Sequence, residues 1–305
     1  IAAHPEAVEP RVYLARHYLL ANNPDRALQV MGNLDVTSSN EPSVLALRGE
    51  VDLAKEDYSA AIISLERLVD LLPESAQAHF LLFRAYSGMN EKDRMQQELT
   101  KTLELEPRHY PALMAQTRFQ LIEGKLMEAG KNLVILKEWS ADNPNVLAIE
   151  AAVHRASGDK ARALSTLKRR FQVSPSTKTL IDLSRFQWTM GQRQEAIGAM
   201  EQWLLASQPD DLVARVALAD AYTSEGRSAD AIRQYEKVLE YSKNNTFALN
   251  NLAWHLRKID PEQALAYGEK AFAVAPESAA VMDTLSELLL AKCELDRAER
   301  MNERA

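Results

Sequence analysis

LVARVALADAYTSEGRSADAIRQYEKVLEYSKNN, residues 212–245, decides the fold. Leu218, Ala219 and Tyr222 share one helical face, Gly226 interrupts the pattern, and Ala231, Tyr235 and Val238 resume it at spacings of four and three. The stretch therefore reads as helix, tight turn, helix. Neither helix has enough apolar surface to fold alone, so the unit requires neighbours of its own kind.

Those neighbours are present in both directions. Aligning on the small residue of the second helix gives Ala27, Ala61, Met95, Ala129, Ala163, Ala196, Ala231, Ala264 and Ala298. Successive spacings are 34, 34, 34, 34, 33, 35, 33 and 34 residues. Pro5, Pro73, Pro107, Pro175, Pro209 and Pro276 keep the same period and mark unit ends, where proline stops a helix; Ser39, Ala141 and Lys243 fill the remaining places. Five residues before the small residue stands a turn former in most units: Asn22, Asn90, Gly124, Gly158, Gly191 and Gly226. Twelve before it, Ala15, Gly49, Ala151, Ser184 and Ala219 permit close helix crossing.

Composition agrees with a helical array. Ala and Leu together exceed a quarter of the chain and Gly is only 10 of 305 residues. With 46% apolar and 26% charged residues, and no apolar run long enough to span a bilayer, the segment reads as soluble and all-α, without direct membrane insertion. A net charge of −7 argues against nucleic acid as the main ligand, since binding its backbone needs a basic footprint.

The unit resembles the tetratricopeptide repeat (TPR) family, whose 34-residue repeat has small residues at its eighth and twentieth positions, an aromatic at the eleventh and proline at the thirty-second. Leu218-Ala219, Tyr222, Gly226, Ala231, Tyr235 and Val238 match it, as do Leu14-Ala15, Tyr18 and Tyr86 elsewhere. The resemblance implies an all-α, right-handed superhelix, an α-α solenoid, running as one continuous array over residues 1–305. Its repeats fall at 8–41, 42–75, 76–109, 110–143, 144–176, 177–211, 212–245, 246–278 and a partial 279–305. Departures occur too: Phe83 and Thr117 replace the small residue at position eight and Met95 replaces Ala, so the third and fourth units are expected to pack at altered angles. Residues 1–5 read as the tail of a preceding helix, and the chain stops at Ala305 inside a second helix, so a segment of a longer protein is expected. Alternatively, uncapped ends pair with another copy.

A narrower resemblance runs through the last third: Glu201-Gln-Trp203-Leu, Gln208-Pro-Asp-Asp211, Asn250-Asn-Leu-Ala-Trp254, Ala275-Pro276 and Val281-Met-Asp-Thr-Leu285. This order is similar to the bacterial TPR lipoproteins of exosortase and PEP-CTERM sorting systems. That resemblance implies exopolysaccharide production or export, or protein sorting, at a periplasmic, membrane-attached location. The residues themselves leave the compartment open.

No catalytic motif, cofactor loop or metal spacing is found, so no catalytic residue, no cofactor and no metal is expected. His4, His17, His79, His109, His154 and His255 are scattered. Glu150 and His154 at i, i+4 read as a surface ion pair, and the lone Cys293 as structural or incidental.

Surface is what the array offers. In the resembled family, positions two, five, nine and twelve of the first helices line the concave face. Here they supply Arg84, Arg118, Arg155 and Arg185, one in each of the third to sixth repeats, with Arg16 and Arg257 at the ends. Guanidinium groups suit carboxylate, sulfate or phosphate; the bland alternative is a solvated face, with Asp182 or Glu150 pairing into the row. Trp188 and Trp254 read equally as ligand anchors or core residues. Phe80, Met114, Trp139 and Trp203 read as packing residues. Position five has no lysine in any unit, which excludes the family's carboxylate clamp for chaperone tails. The expected role is a non-enzymatic scaffold for a protein or peptide partner, with Arg84, Arg118, Arg155, Arg185, Trp188 and Trp254 as the contact residues. Beside it stand direct binding of an acidic polysaccharide, and service as the accessory region of an enzyme whose catalytic domain lies outside the segment.

Overall fold

The computed structural model describes residues 8–32, 40–206 and 208–302. Pro5, Ser39, His4, residues 1–5 and Ala305, which carried expectations above, lie outside them. The described chain is all α and divides into two compact units, residues 1–157 and 158–305.

The first unit holds α1 (Val8–Leu20), α2 (Pro24–Met31), α3 (Pro42–Ala54), α4 (Tyr58–Leu71), α5 (Ala76–Met89), α6 (Lys92–Leu105), α7 (Tyr110–Ile122), α8 (Leu126–Ser140) and α9 (Pro144–Ala156). The second holds α10 (Lys160–Val173), α11 (Thr177–Thr189), α12 (Arg193–Ala206), α13 (Leu212–Ser224), α14 (Ser228–Tyr241), α15 (Thr246–Leu256), α16 (Pro261–Val274), α17 (Ala279–Ala291) and α18 (Leu295–Asn302). Within each unit successive helices pair and the pairs stack side by side, the arrangement of a TPR solenoid. The boundary falls inside the turn of the fifth repeat.

The landmark residues explain the stacking. Ala27, Ala61, Ala129, Ala163, Ala196, Ala231, Ala264 and Ala298 are wholly buried, and Met95 nearly so. Their first-helix counterparts Ala15, Gly49, Ala151, Ser184 and Ala219 are buried as well. Small side chains at both places let the helix axes approach. At Gly49 an added Cβ would lie 2.4 Å from Leu65 Cδ2.

All the described turns between the two helices of a unit, except that of the eighth unit, are left-handed caps. Gly226 has φ +72°, and the next N–H, of Arg227, donates to the Tyr222 carbonyl at 2.8 Å. The same bond, to the carbonyl five residues back, recurs from Asn23, Asp57, Glu91, Lys125, Gln192 and Glu294. Positive φ occurs at all six predicted turn formers, at Cys293, whose place at the turn of the last unit the sequence indicates, and at Glu56, which sequence reading did not single out. The eighth unit, one residue short, turns instead through Ile259 and Asp260, whose N–H groups both donate to the Leu256 carbonyl. Helix starts are fixed by Asn23, Asp57, Ser75, Asn143, Asp159, Ser176, Asp211, Asn245 and Asp260, whose side chains accept first-turn N–H groups.

Helix α3 packs closely on α5, and α7 on α9, whereas the backbones of α5 and α7, like those of α13 and α15, approach less closely and the helices meet through side chains. Phe83, standing where a small residue belongs, fills the gap: its ring meets Phe119 of α7 edge-on at 6.3 Å and stacks on Phe80 at 5.6 Å.

Candidate functional site

Between α5 and α7 lies a groove in the first unit of about 830 Å³. Phe80 and Arg84 project into it from one face of α5, and Met114 and Arg118 from the equivalent face of α7. The Phe80 ring is held from below by Phe83 and from the side by the His109 ring, 4.6 Å away. Tyr58 closes one end against Gly88, where a Cβ would meet its ring at 2.2 Å. Arg84 and Arg118 are both exposed, and neither forms an ion pair among the described residues. The groove wall contains no Asp or Glu.

His109 shapes this wall. Its Nδ1 accepts the Ala112 N–H as the cap of α7, and Nε2 faces Gln77 Oε1 at 3.3 Å. Burial pushes its pKa down, with Glu106 opposing, so the ring stays neutral and the cap intact near neutral pH.

The second unit carries a smaller groove of about 290 Å³, with Ile181, Arg185 and Trp188 from α11 facing Ala217, Asp220, Ala221 and Ser224 of α13. Arg185 is exposed and without an ion pair among the described residues. Trp188 is half-buried against the core, with the Arg193 guanidinium 5.3 Å from its ring centre. Asp220 accepts a hydrogen bond from Tyr235 at 2.6 Å, so this groove presents both signs of charge.

The structure thus brings together Arg84 with Arg118, and Arg185 with Trp188. Arg155, on α9, lines neither groove and is engaged by a neighbour of its own. Trp254 is occupied by its own helix: the Arg257 guanidinium sits 3.6 Å over its ring and donates to its carbonyl. Arg16 reaches Glu50 at 3.9 Å. The carboxylates expected to pair into the row go elsewhere, Asp182 to Arg170 at 2.6 Å and Glu150 to Lys137. Glu150 also lies 3.8 Å from His154, but its side chain is buried, so the expected surface pair is an interior one. Trp203 is buried, its indole N–H donating to Asp211, whereas Trp139 stays 41% exposed and stacks flat on Tyr110 at 4.5 Å. Sequence reasoning missed Phe119 and Tyr58 as groove residues; the Phe83 substitution was the available signal.

The described residues contain no metal-binding cluster and no helix long and apolar enough to cross a membrane. Helix pairs, left-handed turns and grooves lined by first helices define a repeat scaffold. A family model described as tetratricopeptide repeat matches residues 213–245. The fold is similar to a tetratricopeptide repeat protein from Parabacteroides merdae, with TM-score 0.58 and 12% identity over 82% of this chain and 98% of that one. It is also similar to the APC/C hetero-tetramer Cut9-Hcn1, with TM-score 0.51 and 17% identity over 90% of this chain and 54% of that one. Superkiller complex protein 3 of Mus musculus is 23% identical over 252 residues, covering 75% of this chain. The chain spans only 15% of that relative's length. Residues 213–245 thus match the tetratricopeptide repeat, and the described chain has the fold of a TPR-like solenoid.

Proposed function

We propose that the chain is a non-enzymatic scaffold that binds a partner protein along its first helices, with the α5–α7 groove as the principal contact. The supporting observation is the pairing of Arg84 and Arg118, both free of ion pairs, over an apolar floor in a chain of net charge −7. Aromatic and arginine side chains supply much of the energy at protein interfaces. In this reading the repeats over 1–305 act as one array, and Arg185 with Trp188 offers a second contact. The order of motifs from Glu201 to Leu285 supports work in a bacterial cell-envelope system for exopolysaccharide export or PEP-CTERM protein sorting. Affinity capture followed by cross-linking mass spectrometry tests the proposal: partner cross-links are expected on α5, α7 and α11. Cross-links confined to second helices would overturn it.

A further inference from the structure

We propose that the α5–α7 groove selects an acidic segment centred on an apolar side chain: two carboxylates about three or more residues apart, flanking an aliphatic or aromatic residue. This inference rests on the reading of the groove as a partner site and adds the chemistry of the partner.

Charge is the first argument. Acidic residues outnumber basic ones 43 to 36, and arginines here commonly find a carboxylate: Arg94 has Glu66 and Glu91, Arg108 has Glu138, Arg193 has Glu225. Arg84 and Arg118 have none among the described residues, and no acidic residue lines their groove. The groove is therefore a locally positive surface on a negative protein, and it attracts carboxylates while the remainder repels them.

Floor chemistry is the second. Phe80, Met114 and Phe119 line the same groove as the arginines, with Met114 able to adapt to varied side-chain shapes. A simple polyanion leaves that floor unused; an apolar side chain buried there adds the hydrophobic contribution.

Spacing is the third. Arg84 and Arg118 hold the same place in consecutive repeats, 34 residues apart. Directly packed helix axes lie about 8–10 Å apart, which is a lower bound for α5 and α7, and an extended chain rises about 3.3 Å per residue. About three residues are therefore the shortest separation that spans the two helices.

The second groove differs in kind. It is about a third as large, 290 against 830 Å³, and places Asp220 beside Arg185, so it does not favour acidic segments.

The test is selection of a random 12-residue displayed peptide library on the full chain, then fluorescence polarisation of the enriched peptides. Binding is compared for wild type, for Arg84→Glu with Arg118→Glu, and for Met114→Lys, all with matched helicity by circular dichroism. The expected result is enrichment of acidic pairs around an apolar residue, with affinity about 10- to 100-fold weaker in the double charge reversal and weaker at high salt. Peptides blocked by Met114→Lys but indifferent to charge reversal would overturn the acidic partner and leave the groove reading standing. Acidic peptides that keep their affinity when the apolar residue is replaced would overturn the inference in favour of simple polyanion binding. Failure to enrich any peptide sensitive to either variant would overturn the inference and the groove reading together.

Discussion

Tyr86 on α5 donates its hydroxyl hydrogen to Glu66 Oε1 on α4 across 2.6 Å, joining the third repeat to the second. Arg94 completes the cluster, donating to the Tyr86 oxygen at 3.2 Å with its guanidinium 5.2 Å from the ring centre. The arrangement recurs in the second unit, where Tyr222 donates to Glu201 and Arg227 lies 4.3 Å over the ring. The aromatic at position eleven therefore both fills space and carries a polar link between repeats. Tyr86→Phe is expected to cost about 1–2 kcal/mol, since it leaves Glu66 without its donor. A double-mutant cycle with Glu66→Ala measures the coupling, and additivity within error would refute the link.

The same tyrosines predict alkaline sensitivity. Burial, followed by the neighbouring carboxylate, raises Tyr86 and Tyr222 from 10.0 to about 12. Unfolded tyrosines release their protons near pH 10 while the folded ones keep theirs, so this stabilisation is complete below pH 10 and lost as pH rises from 10 to 12. Denaturation midpoints are expected to fall across that window. The fall should be shallower in Tyr86→Phe with Tyr222→Phe.

On the acid side, two buried histidines lose their contribution first as pH falls from neutral. Burial lowers His109 and His255 from 6.5, with Arg257 adding to the effect at His255. An unfolded chain takes up these protons more readily, so their contribution is intact above pH 6.5 and is lost as pH falls below it. His109→Asn keeps a capping acceptor for α7 but cannot titrate. Its urea midpoint should depend less on pH between 7 and 5 than that of wild type; equal slopes would remove His109 from the account.

Glu56 is expected to be a weak point of the first unit. Its φ of +60° is a conformation that costs a side chain about 1–2 kcal/mol, which glycine avoids. Part of the gain from glycine is offset by greater freedom in the unfolded chain, leaving Glu56→Gly more stable by about 0.5–1 kcal/mol. Gly226→Ala, at φ +72°, should lose a similar amount. Chemical denaturation of both variants checks the sign.

Helix number, pairing and turns were legible in the sequence because each rests on a local rule repeated in most of the units: a small residue where axes cross, a left-handed cap, proline after the helix. Ala231 and Gly226 announce themselves by residue type. Glu56 and Cys293 do not, because the turn's hydrogen bonds force the conformation on residues that would not choose it. The candidate site was half legible. Position nine placed Arg84 and Arg118 on the same stripe of their helices and in one groove, whereas Arg155, at position twelve, lines neither groove, because engagements depend on side-chain reach that no repeat position fixes. Asp182 illustrates the difficulty: Arg185 is near in sequence, yet Arg170 on the preceding helix captures it.

Phe83 links the packing of α5 and α7 to the groove, and its removal tests both. Phe83→Ala restores the small residue that the repeat favours, but the third and fourth repeats are built around the ring, which Phe80 and Phe119 contact directly. Truncation is expected to cost about 3–5 kcal/mol, because the surroundings collapse only in part. To the extent that they collapse, α5 and α7 approach and the groove narrows. The variant should then lose affinity for groove-binding peptides although Arg84 and Arg118 are untouched, while Phe83→Leu, which keeps most of the volume, should retain it. Hydrogen exchange in α5 and α7 reports whether the helices remain folded, so that lost binding with protected amides isolates the geometric effect. Undiminished binding in a folded Phe83→Ala chain would show that the ring stabilises the interface without holding the groove open.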